Sequence, residues 1–228
     1  MSIIKLENVI KQFPIGGKKF TALEDINIEF TRGEFCGIIG PSGSGKTTLL
    51  NIIGSLDTPT KGSAVVLGER IEDLSEKSAA RLRSKHMGFI FQTYNLLPVY
   101  TVYENVEFPL LLLDMSHEER RERVLDALEW VHLTDKIGSR PNQLSGGESQ
   151  RVSIARAIVK KPELVLADEP TANLDADNSY NILDTMVSLN KELQTTFIFA
   201  THDEKVIKYL RRKIYLVDGK VIKDELIK

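Results

Sequence analysis

Cysteine is almost absent: the 228 residues hold one, Cys36, inside the apolar run Glu34-Phe-Cys-Gly-Ile-Ile-Gly40. A single thiol excludes an internal disulfide framework, and among apolar neighbours it reads as a small core residue, which fits a reducing cytoplasm. A surplus of charge is missing too. Lys and Arg number 30 against 32 Asp and Glu, a formal net charge of −2 with pI near 6.1, so no basic excess is available to track a phosphate backbone and nucleic acid is not expected as a partner. Long hydrophobic runs are lacking. The most apolar stretch, Phe108-Pro-Leu-Leu-Leu-Leu113, is bounded by Glu107 and Asp114 and falls far short of the roughly 20 residues that cross a bilayer, so this chain forms no membrane pathway by itself. The start, Met-Ser-Ile-Ile-Lys-Leu-Glu-Asn-Val, mixes charged with apolar residues, and no signal peptide is expected. Low-complexity segments and internal repeats are absent, and no appended regulatory domain is expected.

What is present is a globular composition, 42% hydrophobic and 27% charged, enough to bury a substantial core, and one motif of high specificity. Gly40 to Thr47 read GPSGSGKT, matching G-x-x-x-x-G-K-[ST] between an apolar run and the helix-like Thr47-Thr-Leu-Leu-Asn-Ile-Ile53. The glycines Gly40, Gly43 and Gly45, with Ser42 and Ser44, let consecutive backbone N–H groups converge on one anion, and Thr48 continues the cradle into the helix. A nucleoside triphosphate is the expected ligand. Lys46 would reach its β and γ oxygens, the Thr47 hydroxyl would hold Mg²⁺, and the helix start aims its positive end at the phosphates.

Alternating stretches at Ile3–Val9 and Ala22–Phe30 read as strands joined through the Gly-rich Ile15-Gly-Gly-Lys-Lys19. Further strands are expected at Gly62–Gly68 and Met87–Phe91, with a helix over Ser75–Ser84 between them. From about Tyr94 to Lys160 the pattern is helical, with a capping box at Ser116–Glu119 and Val124, Leu128 and Val131 on one helix face. Apolar runs then return at Leu164–Ala167, Thr196–Ala200 and Lys213–Val217, the first two joined by a helix over Ser179–Leu193, as in a buried parallel sheet. A final strand pair turns at Asp218-Gly219. The expectation is one α/β domain over residues 1–228: a P-loop NTPase core with a mostly parallel sheet and an antiparallel N-terminal β subdomain (about 1–93 and 162–228), and a helical lobe (about 94–161).

Two more constellations carry chemistry. Leu164-Val-Leu-Ala-Asp168-Glu169 is an apolar strand ending in two carboxylates that alternation sends to opposite sides. Asp168 would serve Mg²⁺ and Glu169 would orient and deprotonate an attacking water. Leu144-Ser-Gly-Gly-Glu-Ser-Gln150 opens a helix stopped by Pro162. The Ser145 hydroxyl and the free N–H groups of Gly146 and Gly147 form a second anion-facing helix start.

With these motifs in this order, the chain resembles the nucleotide-binding subunits of ATP-binding-cassette transporters over essentially its whole length. LSGGESQ resembles the family signature. By that resemblance Gln92 is the glutamine-loop residue that senses magnesium and the membrane partner, and His202, in Ala200-Thr-His-Asp203, is the switch histidine at the γ-phosphate. Ala172-Asn-Leu-Asp175 is similar to the loop that crosses to a partner subunit. Phe13 corresponds to the adenine-stacking aromatic, where the family commonly has tyrosine; the competing reading is a strand-end core residue. The resemblance implies a head-to-tail homodimer in which ATP lies between the phosphate loop of one copy and Ser145–Gly147 of the other. It also implies a peripheral position on the cytoplasmic face of the inner membrane, beside an integral permease subunit. That permease is expected to meet residues 92–107, where Tyr94, Leu96, Leu97, Tyr100 and Tyr103 either line a groove or fill the lobe core. Gly54–Thr60, Phe91–Pro98 and Ala167–Asp175 look most like the lipoprotein-releasing and macrolide-exporting branch. The alternative within the family is a division-associated ATPase that signals through a membrane partner without transport.

Overall fold

The computed structural model describes residues Ser2 to Ile227. Two sheets share one core. The first is antiparallel, in the order β2-β1-β4-β5, from β1 (Ser2–Ile15), β2 (Lys18–Thr31), β4 (Lys61–Val66) and the short β5 (Glu69–Arg70). Half of β2 alternates buried with exposed residues, as a sheet with one wet face requires. Both long strands extend beyond the alternating segments, because Gly16 and Gly17 close a tight hairpin that keeps their polar ends paired.

The second sheet has the order β10-β9-β3-β8-β7-β6. Its strands β3 (Phe35–Ile39), β6 (Met87–Ile90), β7 (Leu164–Asp168), β8 (Thr196–Thr201) and β9 (Arg212–Val217) run parallel, and β10 (Lys220–Leu226) closes one edge antiparallel. Every residue of β3 and β8 is buried, which is why these strands read as continuous apolar runs. On one face Ile38, Ile198 and Leu216 pack with α1 (Lys46–Ile53) and the antiparallel sheet. On the other, Phe35, Phe197 and Phe199 pack with ring centroids 4.8 to 6.1 Å apart. They share a core with helices α3 (Val102–Glu107), α4 (His117–Trp130), α5 (Gly146–Ile158) and α6 (Ala176–Leu193).

The helices start where short polar side chains can cap them. Ser75 caps α2 (Glu76–His86), Ser116 and Glu119 form a reciprocal box on α4, and Asp175 caps α6. The segment from Tyr94 to Tyr100 is not helical, contrary to the expectation of a helical pattern from about Tyr94 onward. Tyr94 and Asn95 both take left-handed φ, 59° and 50°. The fully buried Asn105 then fixes the rest of the loop, accepting from Leu97 N at 2.8 Å and donating to carbonyls of Leu97, Tyr100 and Thr101. Among the described residues no helix is long and apolar enough to cross a membrane.

Candidate functional site

Adjacent parallel strands β3, β8, β7 and β6 end along one edge of the sheet, and each carboxyl end delivers a predicted piece. β3 leads into the phosphate loop, β8 into His202, β7 into Asp168 and Glu169, and β6 into Gln92. The carboxyl edge of such a sheet is where open α/β proteins place ligands.

The phosphate loop is pinned from below and open above. Gly219 N donates to Ser44 O at 3.0 Å, so the turn between β9 and β10 holds the loop floor. Gly45 sits at φ 104°, and a Cβ there would lie 2.6 Å from Ala22 O; no L side chain fits. Gly45 is the N-cap of α1 but no side chain caps that helix, and no acidic residue stands in its first turn. The leading N–H groups are therefore left for an anion. Lys46 is 7% exposed, and its ammonium donates to Gly40 O at 2.8 Å and Pro41 O at 3.0 Å, so it is held at the loop. Ser42 and Gly43 lie exposed at the tip and Thr48 half-buried in the first turn; the buried Ser44 Oγ has no partner among the described residues.

Thr47 Oγ1 donates to Asp168 Oδ2 at 3.0 Å, joining the loop to β7. Burial pushes the Asp168 pKa above its ordinary value, the Glu169 charge pushes the same way, and the Thr47 hydrogen bond and Lys46 oppose both. Glu169 is not the next residue of an extended strand. Its φ is 46°, so the two carboxylates part through a left-handed kink and not by strand alternation. That turn sends Glu169 toward β8: Oε2 accepts from Thr201 Oγ1 at 3.0 Å, and Oε1 lies 2.6 Å from His202 Nδ1 and 4.0 Å from Lys46 Nζ. The His202 side chain is 62% exposed and that of Glu169 13%, so the imidazole faces outward from a sheltered carboxylate. Thr171, whose hydroxyl donates to Asp203 at 2.7 Å, and Gln150, whose amide donates to Pro170 O at 2.7 Å, brace the chain after Glu169.

Ser145, Gly146 and Gly147 stand apart from this edge, with no hydrogen bond to it among the described residues. Ser145 Oγ accepts from Glu148 N at 3.2 Å, and Glu148 Oε2 accepts from Ser145 N at 2.8 Å. This reciprocal box uses a lone pair of the hydroxyl and leaves its proton free to donate outward. The N–H groups of Gly146 and Gly147 keep no partner among the described residues. Gly147 lacks a side chain for a packing reason: a Cβ would meet Asn178 Oδ1 at 2.5 Å. Gly146 is exposed, close to Tyr94 OH and Asn173 O.

Gln92 is exposed in the turn after β6, its carbonyl accepting from Asn173 Nδ2 at 2.8 Å. The glutamine loop and the Ala172–Asp175 loop are thus tied directly. Phe13 is half-buried on β1 opposite Phe20, belongs to neither hydrophobic core, and carries the Lys11 ammonium 5.0 Å from its ring centre. A groove of about 290 Å³ beside the glutamine loop is lined by Phe89, Phe91, Leu97, Phe108, Pro109 and Arg156. Leu96 and Tyr103 instead pack against the lobe core, and Tyr100 tilts against Phe108 at 6.3 Å. Thr201, Thr171, Asn105 and Arg156 had not been singled out from the sequence. The partners of Thr201, Thr171 and Arg156 lie far along the chain, those of Asn105 four to eight residues before it, and no local pattern marks any of the four.

Comparison with known proteins agrees with this geometry. Residues 23–172 match the family described as ABC transporter. The chain is 43% identical over 230 residues to an uncharacterized ABC transporter ATP-binding protein, MJ0796, of Methanocaldococcus jannaschii, covering 99% of this chain and 98% of that one. It is 40% identical over 222 residues to the lipoprotein-releasing system ATP-binding protein LolD of Bacteroides thetaiotaomicron, covering 97% and 100%. The macrolide export ATP-binding/permease protein MacB of Burkholderia thailandensis is 44% identical over 224 residues, of which this chain spans 34% of the length. A dimeric structure of MJ0796 matches the fold with TM-score 0.91 at 43% identity over 99% of each chain. A dimeric post-hydrolysis state of the same cassette, bound to ADP and Pi, matches with TM-score 0.91 at 42% identity. The chain belongs to the ABC transporter family, as one of its ATP-hydrolysing nucleotide-binding subunits, and its relatives include members of the lipoprotein-releasing and macrolide-exporting branch.

Proposed function

We propose that two copies of this chain enclose each ATP, the phosphate loop of one copy below it and Ser145, Gly146 and Gly147 of the other above it. The observation that carries this reading is that one chain holds two sets of anion-facing donors, at the uncapped start of α1 and at the start of α5, where the Ser145–Glu148 box leaves the N–H groups of Gly146 and Gly147 without a partner, and no hydrogen bond joins the two sets among the described residues. Each then serves a different side of the same triphosphate. The dimeric structures solved for a relative support it.

Within one site the roles follow from position. Lys46 turns its ammonium from the loop carbonyls onto the β and γ oxygens, and the N–H groups of residues 43–48 close around the phosphates. Thr47, Asp168 and Gln92 would offer oxygen ligands, and among the described residues no cluster of three or more His, Cys, Asp or Glu forms a metal cage. Such a set suits Mg²⁺, which keeps water and phosphate oxygens in its shell. Asp168, pushed toward protonation by burial beside Glu169, gains from a cation there. When bound, Mg²⁺ supplies charge neutralisation at the phosphates. Glu169, oriented by Thr201 and His202, accepts the proton of the attacking water, and His202 steadies the γ-phosphate from its exposed face. Phe13 stacks the adenine.

Hydrolysis removes the phosphate that both copies grip, so the pair closes on ATP and parts on ADP. That cycle drives an integral membrane permease on the cytoplasmic face, of the lipoprotein-releasing or macrolide-exporting kind. The permease docks a helix into the groove of Phe89, Phe91, Leu97 and Phe108, which reaches past the expected limit at residue 107. A cysteine pair tests the shared site: Ser42→Cys and Ser145→Cys lie on exposed positions, and the native Cys36 is buried. Oxidation should give covalent dimers only with ATP present. Bonding within a single chain, or dimers indifferent to nucleotide, would refute the arrangement.

A further inference from the structure

Arg156, on the inner face of α5, makes an unusual use of its charge. Its Nη1 donates to Asn95 O and its Nη2 to Tyr94 O, both at 2.6 Å, and it forms no ion pair among the described residues. Burial pushes its pKa down, yet a guanidinium stays charged throughout the ordinary range. The two carbonyls belong to the consecutive left-handed residues Tyr94 and Asn95, at φ 59° and 50°. A pair of non-glycine residues in this region persists only where the surroundings impose it. The local contacts are few: Asn95 N reaches Thr93 O at 2.6 Å, Thr93 Oγ1 reaches Asn95 Oδ1 at 2.9 Å, and Tyr94 N reaches Phe91 O at 3.2 Å. The planar fork of Arg156 matches two adjacent carbonyls, a task one ammonium cannot reproduce. On its other side the loop is tied by Asn173 to the carbonyl of Gln92.

We infer that Arg156 is a positioning residue for the ATPase reaction: it holds the Gln92–Asn95 loop in its left-handed turn and fastens that loop to α5, the helix that begins at Ser145. A rigid helix gripping the nucleotide of the partner at one end therefore carries Gln92 at the other. The inference rests on the proposed roles of Gln92 and Ser145, and the loop's conformation can be read independently of them.

The test compares Arg156→Ala, Arg156→Lys, Asn95→Val and Asn95→Gly in the purified chain, by steady-state ATP hydrolysis and by amide exchange of residues 92–97. Arg156→Ala should lower kcat about tenfold while leaving KM for ATP within about twofold, since the phosphate loop is untouched. Exchange should speed up in 92–97 ahead of the rest of the chain. Arg156→Lys should recover only part of the loss. Asn95→Val keeps Arg156 but penalises the left-handed turn, so it should reproduce both effects. It also serves if Arg156→Ala fails to fold. Asn95→Gly, which adopts that turn freely, should restore part of the kcat lost in Arg156→Ala. Unchanged exchange at 92–97 in Arg156→Ala, or an Asn95→Val chain with wild-type exchange and kcat, overturns the inference. If Gln92→Ala leaves kcat at the wild-type value, the reading of Gln92 fails instead, and the exchange results still decide whether Arg156 holds the loop.

Discussion

The two helix starts that face anions are finished differently. At α1 no side chain among the described residues caps the helix: Gly45 has none, no carboxylate stands in the first turn, and Lys46 waits on loop carbonyls. At α5 the chain has already supplied its own anion, Glu148, whose pKa is held down first by the backbone N–H of Ser145. The first arrangement leaves its donors and its cation for a ligand, and on the proposed reading it binds a triphosphate alone. The second keeps only two N–H groups and one hydroxyl proton in reserve, enough to complete a site but not to found one. On the proposed arrangement binding and closure are separated in the same chain, and substitutions at the two places should fail in different ways.

The largest expected effect falls on chemistry alone. Glu169→Gln should lower phosphate release by about 10²–10⁴-fold, as removal of a positioned base does, with ATP affinity by equilibrium dialysis close to wild type. Next, Lys46→Ala removes a charged donor at the phosphates, a loss of about 1.5–3 kcal/mol or roughly 10–100-fold in ATP affinity. If instead it left affinity intact, the phosphate loop would not be the founding half. Gly147→Ala drives a methyl against Asn178 and should cost about 1–3 kcal/mol in thermal unfolding, while the single-chain ATP affinity stays unchanged. Ser145→Ala loses the cap, about 1 kcal/mol, and should weaken ATP-dependent self-association without touching ATP binding by one copy. An equal loss of ATP affinity in both lobe variants and in Lys46→Ala would erase the distinction.

The smallest effect concerns pH. Burial and Glu169 raise the folded pKa of Asp168 above its unfolded value. Between the two values the folded chain keeps a proton that the unfolded chain has released. This contribution to stability is therefore complete below the ordinary carboxylate pKa and is lost as pH rises through the raised one. Asp168→Asn should raise Tm at neutral pH without nucleotide or Mg²⁺, and flatten the pH dependence of Tm on the acid side.

Much of the proposed nucleotide edge was legible because its signals are local. GPSGSGKT, the strand that ends in Asp168 ahead of Glu169 and the Thr-His-Asp at the end of β8 each announce themselves within a few residues. The strand runs were readable because β3 and β8 are buried on both faces. The Ser145-x-x-Glu148 box has the same local pattern as Ser116-x-x-Glu119, so it too is readable. What the sequence does not expose are contacts made only after folding: Thr201 on Glu169, 32 positions away, and Arg156 on Asn95, 61 away. The kink at Glu169 escaped for a related reason. Alternation assumes a continuing strand, and its φ of 46° ends that strand one residue early. The expected helical pattern fails from Tyr94 to Tyr100, and the asparagine that shapes this loop, Asn105, lies beyond it.

The shared enclosure of ATP is the claim on which the separation of binding from closure depends. Its most direct measure is the mass in solution of the Glu169→Gln chain at saturating Mg-ATP, by light scattering after size exclusion. The account predicts a dimer that reverts to monomer when ATP is removed or Ser145→Arg is added. A chain that binds ATP fully and stays monomeric would contradict it.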